Sequence, residues 1–146
     1  MVLSRIRSNA VDGADSGMTR EARKPNTGLN VLVVEDDALL GLVLGDVLAG
    51  MGHTVCAIED TESGAIAAAA RCRPDLMIVD ARLATGSGVA AVEEIHRVGP
   101  VPHLFVSGDI SGVLARRPGA IVIQKPFRES DLVRAMERAL GAATSS

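Results

Sequence analysis

From Asn30 onward, short apolar runs alternate with segments of helical periodicity, and this alternation constrains the fold more than any other feature. Strand and helix units repeated in this way are typical of a parallel sheet with helices on both faces. The runs that predict strands lie at residues 31–34, 54–58, 76–79, 104–106 and 121–123. We therefore expect a doubly wound α/β domain with five parallel strands.

Helices are predicted between these strands. The first carries one apolar stripe, expected to face inward and to end at Gly50 or Gly52, made of Leu39, Leu40, Val43, Leu44, Val47 and Leu48. The Ala-rich second helix spans residues 62–71 after a Thr61 cap, and the third has Val89, Val92 and Ile95 on one side. Glycines and a proline leave only residues 112–117 for a short or irregular fourth helix, and the last spans about 129–140.

Composition narrows the class of protein. Hydrophobic residues make up 47% of the chain but aromatics only 1%, so the core must consist of Ala, Val, Leu and Ile. The net charge of -3 does not suit a nucleic-acid binder. We see neither a membrane-spanning run nor a secretory signal, and expect a cytoplasmic protein without membrane or nucleic-acid partners. Cys56 and Cys72 are far apart in sequence and form no redox or metal motif.

The ends of the chain differ from its middle. Residues 1–29 are rich in Ser, Gly, Asp, Asn and Arg and are expected to form a flexible N-terminal tail. Residues 30–142 form the expected domain, and 143–146 a C-terminal tail.

Polar side chains follow four of the predicted strands. Glu35 and Asp36 follow the first strand, Asp80 the third, Ser107 the fourth and Lys125 the fifth. In an open α/β sheet, the carboxyl ends of the strands form the edge where ligands bind. If the strand order is 2-1-3-4-5, the first and third strands are neighbours and the three carboxylates converge.

Converging carboxylates need a counter-charge, because like charges at short distance are costly. Such carboxylates are ligands for a hard dication such as Mg²⁺. Next to Mg²⁺, the carboxylate of Asp80 can attack phosphorus and form an aspartyl phosphate. Lys125 supplies a further cation, and the hydroxyl of Ser107 can hydrogen-bond a phosphoryl oxygen.

Four segments, in this order, resemble the receiver domain of bacterial response regulators. They are VLVVEDD at 31–37, DLMIVD at 75–80, FVS at 105–107 and KPF at 125–127, within a similarity that spans about residues 30–140. The resemblance implies a flavodoxin-like fold, a phosphoacceptor at Asp80 and catalytic roles for Ser107 and Lys125. It also implies that Glu35, Asp36, Asp80 and the backbone carbonyl of Arg82 bind Mg²⁺, that Gly88 is the loop glycine, and that the Lys125–Pro126 bond is cis.

Three features depart from the family pattern. The loop ARLATGSG at 81–88 lacks the Met-Pro often found there, and its phrase LATGSG, together with the short interval from Ser107 to Lys125, is similar to atypical receivers of alphaproteobacteria, including those of general stress signalling. The aromatic switch position is Val122, and the chain has no Tyr or Trp, so the usual rotation of a buried aromatic ring cannot operate. The interval from Ser107 to Lys125 is short by about one helical turn.

The expected function is that of a single-domain response regulator in a phosphorelay. Its phosphoryl donor would be a histidine kinase or a histidine phosphotransfer protein, and its output a contact with an unidentified protein or service as a phosphate sink or shuttle. It would catalyse its own phosphorylation and slow dephosphorylation without being a metabolic enzyme. The alternative is a receiver-like interaction module that is never phosphorylated. The sequence is also compatible with a homodimer. A dinucleotide-binding protein is disfavoured because the first turn lacks a glycine-rich loop.

Overall fold

Strands and helices alternate along the chain as the sequence predicted. The structure, a computed structural model, describes residues 28–145, with side chains described up to residue 142. The elements are β1 (Asn30–Val34), α1 (Ala38–Gly50), β2 (Thr54–Glu59), α2 (Glu62–Cys72), β3 (Leu76–Asp80), α3 (Gly88–His96), β4 (His103–Ser107), α4 (Ile110–Arg116), β5 (Val122–Gln124) and α5 (Glu129–Ser145). Each predicted strand is found to within one residue at either end.

The five strands form one parallel sheet in the order β2-β1-β3-β4-β5. This is the order that the resemblance implied, so the predicted flavodoxin-like fold is confirmed. The chain first winds from β1 out to β2 and then crosses back to β3 on the other side of β1. This reversal places the carboxyl ends of β1 and β3 side by side, where a doubly wound sheet has its ligand crevice.

Successive residues of the central strands point to opposite faces of the sheet, as strand geometry requires. One face packs beneath α2 and α3 and forms the α2–α3 core, which includes Leu32, Val34, Ala65, Ala68, Met77, Val79, Val89, Val92, Ile95 and Phe105. The other packs beneath α1 and α5 and forms the α1–α5 core, which includes Val31, Val33, Leu44, Leu48, Leu76, Ile78, Leu104, Val106, Leu132 and Met136. Both cores are mostly aliphatic, with Phe105 buried in the α2–α3 core and Phe127 packed against the α1–α5 core.

Polar side chains at the helix N-termini determine where four helices begin. The capping residues, whose side chains accept backbone N–H groups of the first turn, are Asp37 in α1, Thr61 in α2, Ser87 in α3 and Asp109 in α4. Each such cap contributes about 1 kcal/mol. The predicted Thr61 cap is confirmed, and so is the short fourth helix, since α4 has only 7 residues.

The prediction that the whole apolar stripe of α1 faces inward is wrong in part. Leu44 and Leu48 are buried, but Leu39 is 71% exposed and Val43 47% exposed. Gly41 is buried instead, and a Cβ added there would lie 3.1 Å from the side chain of Ile58. Because α1 is apolar on several sides, hydrophobicity alone could not show which side packs inward.

The boundaries of the domain also differ slightly from the expectation. The side chain of Leu29, which we assigned to the N-terminal tail, is buried in the α1–α5 core. The backbone of α5 continues to Ser145, through residues assigned to the C-terminal tail. The rest of the expected N-terminal tail, residues 1–27, lies outside the described residues. Within residues 28–145, no helix combines the length and apolarity needed to cross a bilayer.

His53, which follows the first helix, is buried beside β1. Its Nδ1 accepts the backbone N–H of Leu29 at 3.2 Å, and in the described part of the chain its Nε2 has no partner. Burial lowers the pKa of His53 below its usual 6.5. A protonated His53 would therefore be poorly accommodated in the folded chain.

We expect acid to destabilise the fold in part through His53. Below about pH 6.5 the unfolded chain binds a proton at this side chain while the folded chain resists it, so the free energy of unfolding falls as the pH decreases. His53→Asn, which retains an acceptor near the position of Nδ1, should lose less stability between about pH 7.5 and about pH 5 than the wild type. Urea unfolding at both pH values measures this, and equal losses in the two proteins would contradict it.

Candidate functional site

Three carboxylates converge at the carboxyl ends of β1 and β3. One oxygen from each of Glu35, Asp36 and Asp80 lies within 4.8 Å of those of the other two. They meet because β1 and β3 are neighbours, with Val34 opposite Val79. Glu35 and Asp80 are buried, whereas Asp36 is more exposed. The convergence expected from the sequence is therefore confirmed.

Lys125 brings a cation into this cluster from the end of β5. Its Nζ lies 2.8 Å from Oδ2 of Asp80 and 3.3 Å from Oε1 of Glu35. The backbone N–H of Lys125 donates to the carbonyl of Ser107, and the Lys125–Pro126 bond is cis, as the resemblance implied. Burial lowers the pKa of Lys125, but the hydrogen bond and charge of Asp80, together with Glu35, outweigh this and raise it. Lys125 therefore carries its positive charge at neutral pH.

The site holds more negative charge than Lys125 can balance. The pKa of Glu35 is raised to about 7, first by burial and then by the hydrogen bond and charge of Asp80. The backbone N–H of Asp37, which donates to Glu35 at 3.1 Å, and the charge of Lys125 oppose this only in part. At neutral pH the isolated cluster therefore resists full ionisation.

The cluster fits a hard divalent cation. Its donors are carboxylate oxygens on two adjacent strands, which are the ligands that Mg²⁺ prefers. A dication would supply the missing positive charge and favour the ionised form of Glu35. The residues present thus match the metal that the sequence predicted, with Glu35, Asp36 and Asp80 as the side-chain ligands.

The predicted Ser107 and Arg82 lie on the other side of Asp80. The backbone N–H of Arg82 donates to Oδ1 of Asp80 at 3.2 Å, which orients the carboxylate. Ser107 ends β4 one residue beyond Val106, the partner of Asp80 in the sheet. The Ser107 hydroxyl accepts the N–H of Asp109 at 2.9 Å, so its own proton is free to be donated. Ser107, Arg82 and Asp109 line one open cleft beside Asp80.

Glu62 supports the loop between β3 and α3, a role that sequence reasoning missed. Its Oε1 accepts the backbone N–H of Ser87 at 3.0 Å, and its own N–H donates to the carbonyl of Thr85. On the opposite side of the loop, Oδ2 of Asp36 accepts the N–H of Ala84 at 2.7 Å. These contacts join residues far apart in sequence, and no local motif marks them. The unusual loop is therefore ordered by α2 and by the acidic cluster.

The comparisons with known proteins agree with this geometry. The model of the response regulator receiver domain matches residues 31–137. The phyllosphere-induced regulator PhyR of Methylorubrum extorquens is 31% identical over 75% of this chain and 43% of its own length. The transcriptional regulatory protein PdtaR of Mycobacterium tuberculosis is 33% identical over 75% of this chain and 56% of its own length. The chain thus spans about half the length of these curated relatives.

The fold has close counterparts among solved structures. The receiver domain of the PhyR response regulator from Erythrobacter litoralis superposes with a TM-score of 0.72 at 30% identity, covering 79% of this chain and 92% of that domain. The similarity to alphaproteobacterial receivers that the loop predicted is confirmed by this PhyR domain.

Proposed function

This chain belongs to the response regulator receiver family, and we propose that it accepts a phosphoryl group on Asp80 from a phosphohistidine donor, as a response regulator in a phosphorelay. The observation that carries the proposal is the buried carboxylate of Asp80, held between the ammonium of Lys125 and two further acids. This arrangement combines a nucleophile with positive charge for the transferred group.

Each side chain has a distinct role in the proposed transfer. An oxygen of Asp80 forms a bond to phosphorus while the bond between phosphorus and the donor imidazole nitrogen breaks, and the imidazole leaves with the electron pair. Lys125, already 2.8 Å from Asp80, neutralises the transferred oxygens. The free proton of Ser107 hydrogen-bonds one of these oxygens. Asp80 is thus consumed and regenerated by hydrolysis, which makes the chain a phosphoacceptor and not a metabolic enzyme.

Mg²⁺, when bound, supplies further positive charge next to the phosphoryl group. We propose that the side chains of Glu35, Asp36 and Asp80 hold it together with the backbone carbonyl of Arg82. Because Asp36 also accepts the N–H of Ala84, the same carboxylate connects the metal site to the loop after β3.

Intact-mass spectrometry tests the proposal directly. Incubation with acetyl phosphate should add about 80 Da, one phosphoryl group, when Mg²⁺ is present and not when a chelator removes it. No gain of mass with either acetyl phosphate or a phosphorylated histidine donor would favour the alternative, an interaction module that is never phosphorylated.

An apolar groove beside the site offers a place for the donor protein. It lies between α1 and the segment after β5 and is lined by Lys125 and by the apolar residues Leu40, Val43, Leu44, Val47, Pro126 and Phe127. Val43, which lines it, is 47% exposed, so a partner can reach it. Because Lys125 also contacts Asp80, the groove adjoins the position that a donor histidine would approach. We propose that the groove binds the histidine-bearing element of the donor.

Val43→Glu is expected to slow phosphoryl transfer from a histidine phosphotransfer protein at least tenfold, because it places a charge in the apolar contact. Uptake from acetyl phosphate, which needs no protein contact, should stay unchanged. The matched control is Val98→Glu, since Val98 follows α3 at the other end of the sheet and is 95% exposed. Equal slowing with both donors, or by both variants, would argue against this groove.

Output is proposed to occur through contacts of the domain with another protein, or by storage of the phosphoryl group. The family's aromatic switch position holds Val122, which is partly buried against the α2–α3 core. A signal must therefore pass through the loop after β3 or through α4, both of which border the cleft beside Asp80. We propose a cytoplasmic location, where histidine phosphodonors are available.

A further inference from the structure

Cys56 and Cys72 are far apart in sequence but lie side by side in the fold. Cys56 belongs to the edge strand β2, and Cys72 is the last residue of α2. The thiol of Cys72 is close enough to act on Cys56, since burial and this neighbouring thiol together raise the pKa of Cys56 to about 12. Both cysteines are free and only partly buried, so a small reagent can reach them.

A β-bulge turns Cys56 toward α2. Val31 of β1 pairs with Val55, but Leu32 pairs with Ala57, which leaves Cys56 as an extra residue in β2. A bulge lets two successive residues face the same side of a sheet. Cys56 and Ala57 accordingly both pack against the α2–α3 core. Without the bulge, the alternation of a regular strand would point one of them away.

A second contact holds Cys72 near the same point. The side-chain amide of Asn30 donates to the carbonyl of Cys72 at 3.3 Å. Asn30 pairs with Thr54 in the sheet, two residues before Cys56. The end of α2 is thus tied to the strand pair in which Cys56 lies.

We propose that Cys56 and Cys72 form a reversible intrachain disulfide, a redox modification site whose oxidant is a small disulfide such as oxidised glutathione. The site lies at the C-terminal end of α2. Glu62, at the N-terminal end of the same helix, supports the loop beside Asp80.

The two steps of the exchange balance. The thiolate of one of the two cysteines attacks one sulfur of oxidised glutathione, which forms a mixed disulfide and releases one glutathione. The other cysteine then loses its proton and attacks the protein sulfur of the mixed disulfide, which releases a second glutathione and closes the disulfide. Two protein thiols are oxidised, and one glutathione disulfide is reduced to two thiols.

Mass spectrometry of the full chain tests the proposal. After reaction with oxidised glutathione and alkylation by N-ethylmaleimide, the wild type should be lighter than the reduced chain by about 2 Da, monomeric and unalkylated. Dithiothreitol should restore both thiols. Cys56→Ser and Cys72→Ser should each stop at one glutathione adduct of about 305 Da on the remaining cysteine.

Other results would overturn the inference. These are a wild type that keeps one or two glutathione adducts, a wild type that is alkylated at both cysteines after the same exposure, and a disulfide-linked dimer. The same reaction in urea should close the disulfide at least tenfold more slowly, because unfolding separates the thiols. Equal rates in urea and in the folded chain would show that the fold does not bring the pair together.

Discussion

Asp80→Asn is expected to abolish phosphoryl uptake, with no gain of mass from acetyl phosphate at any Mg²⁺ concentration. The amide of Asn has nearly the same shape as the carboxylate but cannot act as the nucleophile toward phosphorus. We expect a rate below about one-hundredth of the wild-type rate, a loss of about 2.7 kcal/mol or more in transition-state stabilisation. Intact-mass spectrometry over a time course measures it.

The fold should survive this substitution. Lys125 keeps its contact with Glu35, 3.3 Å away, and one of three converging negative charges is removed. Urea unfolding of Asp80→Asn should therefore show a free energy of unfolding no lower than that of the wild type. This separates loss of the nucleophile from loss of structure.

Asp37→Asn is the matched control for this experiment. Asp37 follows the acidic pair directly, but its side chain caps α1 by accepting the N–H groups of Leu39 and Leu40. Asn caps helices as well as Asp does. We expect Asp37→Asn to gain the phosphoryl group normally. Uptake by Asp80→Asn, or its loss in both variants, would refute the assignment of Asp80 as the phosphoacceptor.

Gly88→Ala is expected to destabilise the folded chain strongly. A Cβ at Gly88, which begins α3, would overlap the backbone carbonyl oxygen of Asp80 and press on a methyl group of Val79. A backbone carbonyl in a central strand cannot swing aside as a long side chain can. Overpacking of this kind costs about 3 kcal/mol, or roughly 10 °C in Tm for a domain of this size. Urea and thermal unfolding measure both quantities.

Gly50→Ala provides the comparison. Gly50 is the last residue of α1, and a Cβ there would meet nothing within 4 Å. Because Ala favours helical backbone more than Gly, Gly50→Ala should be neutral or slightly stabilising. An equally harmless Gly88→Ala would contradict the close approach of the first residue of α3 to the backbone of Asp80 in β3.

The candidate site was predictable because its parts are local in sequence and the sheet brings them together by rule. Glu35, Asp36, Asp80, Ser107 and Lys125 each follow an apolar strand, and parallel strands present their carboxyl ends at one edge. The hydrogen bonds of Glu62 to the loop were not predictable, because its partner Ser87 is recognised only once α2 and α3 are packed. The same holds for the side of α1 that faces the sheet.

The sequence by itself determined the alternation of elements, the strand order implied by its motifs, the Thr61 cap of α2 and the convergence of Glu35, Asp36 and Asp80. Hydrophobic periodicity, turn chemistry and short motifs act over a few residues, so one chain without a structure reveals them. Only the tertiary structure decided which apolar face of α1 stays exposed, how the loop after Asp80 is held, and that Cys56 meets Cys72. Each of these depends on contacts between distant segments, such as the pairing of β1 with β2 around the bulge. Such contacts form only when the sheet and helices pack together.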